Sequence, residues 1–307
     1  MASYTYPVAA PTGTLTTAQI HLLLSNPTVV AKRVAELAKM RFIADFLLSG
    51  RYEAKGGGIF YETGEEIFAA DSIEAITAGG AYPKTVLTSG EIAAAKTDKR
   101  GLGTDITDEK ISREGISYVN KGLQRLVNQV IKDVDGIALA VVLSKVTSTF
   151  ASPQGAWITA GAIAEALLSI SGTRADLGTG LNLDTVVLKP SKFAKVVGML
   201  VDDKALPREQ GNVVVTGSIP FDALGFTWAT SPFYTSDDPL LVDREQLGGM
   251  ADERIESPEF RTAGDSNVEV ASDRAKGLDK YELRARRVTV PVVTEPLAGV
   301  TITGAAL

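Results

Sequence analysis

The carboxylates that invite a chemical reading come as neighbours: Asp202-Asp203, Asp237-Asp238 and Asp252-Glu253. Adjacent carboxylates can divide general-acid and general-base work when their surroundings push their proton affinities apart. These pairs lie beside turn residues and lack the spacing of a calcium loop, so they read as solvated turns. The single histidine, His21, stands inside the apolar run IHLLL. One histidine is enough for a nucleophile–base–acid triad, yet no G-x-S-x-G elbow accompanies it, and a packing or solvated role is expected. Gly101 and Gly103 begin a G-x-G, but Ile106 stands where the third glycine of a dinucleotide fingerprint belongs, and no Walker loop occurs. Lys189 and Lys192 flank the start of a helix. A Schiff-base role would require desolvation, so surface placement is expected. Cysteine is absent, which removes disulfides, thiolate metal sites and cysteine nucleophiles. No catalytic residue, cofactor site or metal site emerges, and the chain reads as something other than an enzyme.

The elements that would position any site are more informative. The 307 residues, 45% of them hydrophobic, can bury sizeable cores in one or two domains. A formal charge of -6 argues against a protein whose main task is gripping nucleic acid, because phosphate neutralisation needs clustered Lys and Arg. The N-terminus has no signal-peptide pattern and no apolar run approaches the ~18 residues that span a bilayer. A soluble chain made in the cytoplasm is expected.

Met1 to Gly13, rich in Pro, Ala and Thr, reads as an extended arm. Thr16 to Ser25 reads as a short helix. Asn26 caps a second one with Pro27 at its first position, and apolar spacing carries that helix through Val30, Val34, Leu37, Ile43 and Phe46 to a stop at Ser49-Gly50. Arg51 to Gly103 changes character: glycines 56 to 58, then IFYETGEEIFAAD, then AGGAYPKTV. A long, protruding two-stranded excursion is expected, with Thr63-Gly64-Glu65 as a turn; a floppy insertion loop is the alternative. An isolated hairpin is marginal in water, so this excursion must lean on something.

Thr107 then caps a helix with Asp108 and Glu109 in its first turn. Apolar residues step mostly by three or four from Ile111 to Val146. From Asp108 to Thr147 is about 40 residues, or ~60 Å at ~1.5 Å per residue. A compact globule of this length is about 50 Å across, so a flat or elongated molecule is expected; a break near Gly136 is the alternative. Ala156 to Ser171 reads as a helix, Leu183 to Leu188 as a buried strand, and Pro190 opens another helix. Short strands are expected at Val213 to Thr216, Phe226 to Thr230 and Leu240 to Val242. The tail reads as a hairpin with Lys276-Gly277 in its loop. In its return strand the apolar set moves from Tyr281, Leu283 and Ala285 to Val288, Val290 and Val292, a one-residue shift that predicts a bulge near Arg286.

In order, these elements are an arm, an extended loop, a long helix, a compact mixed domain and a closing hairpin. Local phrases add to the order: LNLDTVVLKPSKFAKVVGML, LGFTWATSPF, LLVDREQLGGMADER and YELRARRVTVPVVTEPLAGVTITG. The whole resembles the major capsid proteins of tailed bacteriophages, the Hong Kong-97-type α+β fold. The resemblance implies an N-terminal arm (1–50), an E-loop (51–104), a peripheral domain with the spine helix (105–175 and 265–307) and an axial domain (176–264). It implies pentamers and hexamers tiled into an icosahedral shell around double-stranded DNA, made in the host cytoplasm and ending in the virion. A separate scaffolding protein and a portal are the implied partners, with no cofactor and no membrane. An encapsulin compartment shell shares the fold and is the alternative; an uncharacterised hydrolase is a third reading. Some members weld subunits through an E-loop lysine and a peripheral asparagine. Lys55, Lys84, Lys96 and Lys99 lie in the matching loop, but residues 273–280 contain no asparagine, so covalent cross-linking is not expected. Between subunits, Glu62, Glu65 and Glu66 are expected to meet Lys32, Arg33 and Arg51 of a neighbour, with a solvated surface as the alternative.

Overall fold

The computed structural model describes residues 15–38, 42–64, 71, 73–76, 78–85, 90–203, 221–275 and 277–307. From the N-terminus, α1 (Thr17–Leu24), α2 (Pro27–Ala38) and the short α3 (Ile43–Leu47) lead to β1 (Gly50–Glu53). The ribbon strands β2 (Gly58–Thr63) and β3 (Glu91–Lys96) follow, then β4 (Asp98–Thr107). Helices α4 (Asp108–Glu114) and α5 (Ile116–Lys145) precede β5 (Thr149–Ala151), α6 (Ala160–Asp176), β6 (Thr185–Leu188) and α7 (Pro190–Asp202). Then come β7 (Phe221–Ala223), β8 (Phe226–Thr230), β9 (Leu240–Val242), β10 (Gly248–Asp252), β11 (Arg261–Thr262), β12 (Glu269–Ala275), β13 (Lys280–Val293) and β14 (Gly299–Thr303). The extended arm expected at Met1 to Gly13 and the strand expected at Val213 to Thr216 lie outside the described residues.

Local chemistry sets the helix ends. The Thr16 backbone N–H donates to Gln19 Oε1 at 2.9 Å and the Gln19 N–H donates to Thr16 Oγ1 at 3.4 Å, a reciprocal capping box. Asn26 Oδ1 accepts from the Thr28 N–H at 3.2 Å, and Pro27 opens α2 as expected. The expected run of that helix to Phe46 is corrected: α2 is described as far as Ala38, Phe42 is extended at φ -79°, ψ 111°, and Ile43 begins a separate helix. Phe42, at the cap position of α3, offers no side-chain acceptor. The buried Asp135 of α5 supplies one instead, accepting from the Ile43 and Ala44 N–H groups at 3.3 and 3.0 Å. The single helix expected from Asp108 to Thr147 is also corrected. Gly115 adopts φ 64°, ψ -151° and ends α4, a positive-φ conformation that glycine reaches at low cost. Gly136, where a break was the alternative, lies inside an uninterrupted α5 of 30 residues, about 45 Å long.

The chain divides into two compact units. The first comprises residues 1–40, 100–130 and 255–287. Its strands β11, β12 and the first half of β13 form antiparallel ladders, with Ala271 opposite Arg284 and Glu269 opposite Arg286. β4 pairs with the free side of β13. The backbones approach so closely there that a Cβ on Gly101 would lie 2.7 Å from the Ala285 carbonyl oxygen. Helices α1 and α2 bury Ile20, Leu24, Val30 and Val34, and Ser272 Oγ donates to the Leu24 carbonyl at 2.6 Å.

The second unit comprises residues 41–99, 131–254 and 288–307. Its main sheet runs β5-β14-β9-β6-β8-β7, with β6 parallel to β8 and antiparallel to β9. All four residues of β6 are buried, Thr185 with the apolar Val186, Val187 and Leu188. Trp157, Ile163, Leu167, Phe193, Val196 and Trp228 build the core around it. A second ladder joins β1, parallel, to β10, and β10, antiparallel, to the end of β13. A Cβ on Gly249 would lie 2.3 Å from the Gly50 carbonyl oxygen.

The bulge expected near Arg286 is replaced by a change of partner. β13 continues as one strand, its ladders to β12 and to β10 each keep a constant register, and Ala285 through Thr289 are all buried. The apolar set changes parity because burial becomes two-sided.

Candidate assembly surfaces

The two faces of the ribbon differ. In its register Phe60 pairs with Ala94, Glu62 with Ile92 and Ile59 with Ala95, so alternate residues share a face. One face carries Ile59 and Tyr61, which pack on Ala54, Ala251 and Val292. The opposite face carries Phe60, 80% exposed, and Ile92, 70% exposed, with Ala94, Glu62 and Lys96 around them. The expected protruding excursion is therefore only half free: its inner face rests on its own chain.

The ribbon's root is fixed by one carboxylate of an expected solvated pair. Glu253 accepts from the Gly57 backbone N–H at 3.1 Å and from Thr97 Oγ1 at 2.7 Å. Higher up, the Gly64 N–H, at φ 64°, donates to the Thr294 carbonyl at 3.0 Å. The other carboxylate pairs are also more than solvated turns. Asp203 Oδ2 accepts from the Ala160 N–H at 2.6 Å and so caps α6. Asp237 pairs with Lys189 at 2.7 Å, and the hydrogen bond from that ammonium holds its carboxyl below the ordinary aspartate range. Lys192 donates to the Leu307 backbone oxygen. These groups are engaged in holding backbone and each other. Among the described residues, no group of three or more His, Asp or Glu is placed to hold a metal ion.

The residues expected at subunit contacts are distributed as follows. Glu62 is exposed on the ribbon's outer face, and Glu65 and Glu66 lie outside the described residues. Lys32 is exposed on α2. Arg33 Nε donates to Asn120 Oδ1 at 2.7 Å. Arg51 pairs with Asp45 at 3.0 Å and also donates to its carbonyl. The two arginines are thus engaged within the chain, while Lys32 and Glu62 face solvent.

Sequence reasoning missed a charged cluster on the tail hairpin. Arg274 donates to both carboxylate oxygens of Asp108, at 3.0 and 2.6 Å, and its guanidinium lies 4.9 Å from the Tyr281 ring centroid. These bonds lower the Asp108 carboxyl and raise Arg274. His21 Nδ1 lies 3.3 Å from the Tyr281 hydroxyl and 3.9 Å from Asp108, which makes the lone histidine part of this packing. Lys280 reaches Asp105 at 2.7 Å, and that hydrogen bond raises its ammonium. The signal available in sequence was the acidic first turn of α4, read only as dipole complement.

A ribbon, a helix α5 of about 45 Å, a mixed sheet carrying α6 and α7, and a long closing hairpin define a Hong Kong-97-type capsid fold, a structural rather than a catalytic architecture. Residues 90–302 match the family model described as phage capsid protein, and the chain belongs to that family. Solved structures agree in fold. A phage-related protein from Bordetella bronchiseptica aligns with a TM-score of 0.58 at 11% identity, over 91% of this chain and 97% of that one. The capsid structure of cyanophage P-SCSP1u gives 0.53 at 11%, over 82% and 84%. The holo-SrpI encapsulin complex from Synechococcus elongatus gives 0.55 at 11%, over 86% and 87%. No curated protein matches the chain in sequence.

Proposed function

We propose that this capsid protein forms the head of a tailed phage, assembling as pentamers and hexamers into an icosahedral shell that encloses double-stranded DNA. Membership of the phage capsid family carries the reading. The outer face of the ribbon supports copy-to-copy contact, since Phe60 and Ile92 together form an apolar patch that the described residues leave open. The shell division follows the chain order: arm 1–50, E-loop 51–104, peripheral domain 105–175 with 265–307, axial domain 176–264. A neighbour's Lys32, Arg33 and Arg51 are the proposed partners of Glu62, Glu65 and Glu66; Arg33 and Arg51 would exchange or share their present acceptors to take part. A separate scaffolding protein and a portal complete the assembly, which proceeds in the host cytoplasm and yields the virion.

Electron microscopy of the chain, expressed alone and within phage lysate, tests this. Closed particles of uniform diameter containing nuclease-protected DNA are the expected result. Particles that instead hold a protein cargo and no DNA would favour the encapsulin reading. A chain that sediments as a monomer under every condition and is absent from purified virions would refute both.

A further inference from the structure

β4 is an edge strand of its sheet, branching from β13. Among the described residues it pairs with β13 and with no other strand, so no described strand lies along its other side. The run DKRGLGTDIT contains no proline, and Lys99, Gly101, Leu102, Gly103 and Asp105 are exposed, Leu102 to 50%. A long open edge of this kind is a template for another strand. Its charges are placed symmetrically: Lys99 and Asp105 stand equally far from Leu102 on either side. In an antiparallel pair, directly opposite residues share a face. Pairing two copies of β4 with Leu102 opposite Leu102 therefore sets Lys99 of each against Asp105 of the other, with Gly101 opposite Gly103. Asp105 already holds Lys280 but keeps 53% of its side chain exposed, which leaves room for a second cation. Lys99 makes no ion pair within the described chain.

We propose that the β4 edge is an isologous contact, pairing with β4 of a second copy about a two-fold axis at Leu102. The contact rests on the shell reading. A single strand pair buries far less than the roughly 1,000 Å² of a stable free dimer. In a shell, other contacts hold the copies, and the strand pair forms at high effective concentration.

The chain has no cysteine, so an introduced thiol is unique. Leu102→Cys in assembled particles puts two Cα atoms about 4.5–5.5 Å apart, within disulfide reach. Mild oxidation is expected to convert most of the variant to a disulfide-linked dimer. Thr104→Cys, which falls opposite Arg100 of the partner copy, is expected to give at least tenfold less. Closed particles by microscopy with no Leu102→Cys dimer, or with equal dimer from both variants, would overturn the pairing while leaving the shell reading intact. Where the Leu102→Cys chain forms no particles, hydrogen exchange on the unmodified protein decides. Amides of residues 99–105 are expected to slow at least tenfold on assembly, and unchanged exchange would overturn the proposal. Failure of the unmodified chain to assemble counts against the shell reading instead.

Discussion

Thr97 and Glu253 are joined by a hydrogen bond of 2.7 Å from the threonine hydroxyl to the carboxylate, at the root of the ribbon. The same carboxylate holds the Gly57 N–H, so one side chain fixes both strands where they leave the body. Thr97 is 7% exposed, and removing its acceptor leaves a buried hydroxyl unsatisfied, at a cost of about 1–3 kcal/mol. Glu253→Ala is expected to raise protease cleavage and amide exchange within residues 57–97. Glu253→Gln, which keeps an acceptor, is expected to recover most of the protection.

Arg286 and Glu269 form a buried ion pair at 2.6 Å, and the guanidinium also lies 3.7 Å from the Phe260 ring centroid. Arg286→Ala strands the Glu269 carboxylate and is expected to destabilise the chain by about 3–5 kcal/mol. Arg286→Met with Glu269→Leu removes both charges and is expected to cost less than the single change. Urea denaturation of the three chains makes the comparison.

Gly136, inside α5, and Gly115, between α4 and α5, should respond oppositely to alanine. A Cβ at Gly136 meets nothing within 4 Å, so Gly136→Ala in α5 is expected to stabilise by about 0.5–1 kcal/mol. Gly115 is held at φ 64°, ψ -151°, a region essentially confined to glycine, and Gly115→Ala is expected to destabilise by about 1–3 kcal/mol. Thermal melting of both variants checks the signs.

Arg274 holds the Asp108 carboxyl below its ordinary value, first through their hydrogen bonds and then through charge. A carboxylate whose folded value is depressed contributes stability that is present above the ordinary aspartate value, about 4, and lost as pH falls through the folded value. Acidification below about pH 4 is therefore expected to weaken the native chain more steeply than Asp108→Asn, which lacks that titration. Denaturant midpoints collected from pH 6 down to pH 2 would reveal the difference in slope.

Phe60 is 80% exposed on the ribbon's outer face. Phe60→Ser is expected to leave monomer stability within about 0.5 kcal/mol and to reduce particle yield. A normal yield of closed particles would remove the ribbon face from the proposed contacts.

The parts of this fold that were legible in the sequence are those governed by neighbours in the chain. The short helix at Thr16 to Ser25, Asn26 with Pro27, Leu240 to Val242 and the opening of α7 at Pro190 each carry a local cap or an apolar run, and each appears as expected. What escaped depends on distant partners. The Gly248-Gly249 step belongs to a strand whose glycines admit the close approach of Gly50 and Val292, partners that no local pattern names. The inner face of the ribbon follows the same rule, since Ile59 and Tyr61 find Ala251 and Val292 from far along the sequence. Glu253 looked like half of a solvated pair because its two donors, Gly57 and Thr97, lie more than 150 residues upstream.

Asp135 has a consequence for how the chain is made. It supplies the acceptor for the first N–H groups of α3 from 91 and 92 residues further on. A ribosome adding about 5–20 residues per second needs several seconds to deliver that aspartate after Ile43 has emerged. Until then α3, only five residues long, has no cap and no independent stability. The nascent chain therefore passes its early segment through the tunnel as a strand of unfinished polymer, and that helix sets only when the spine arrives to receive it.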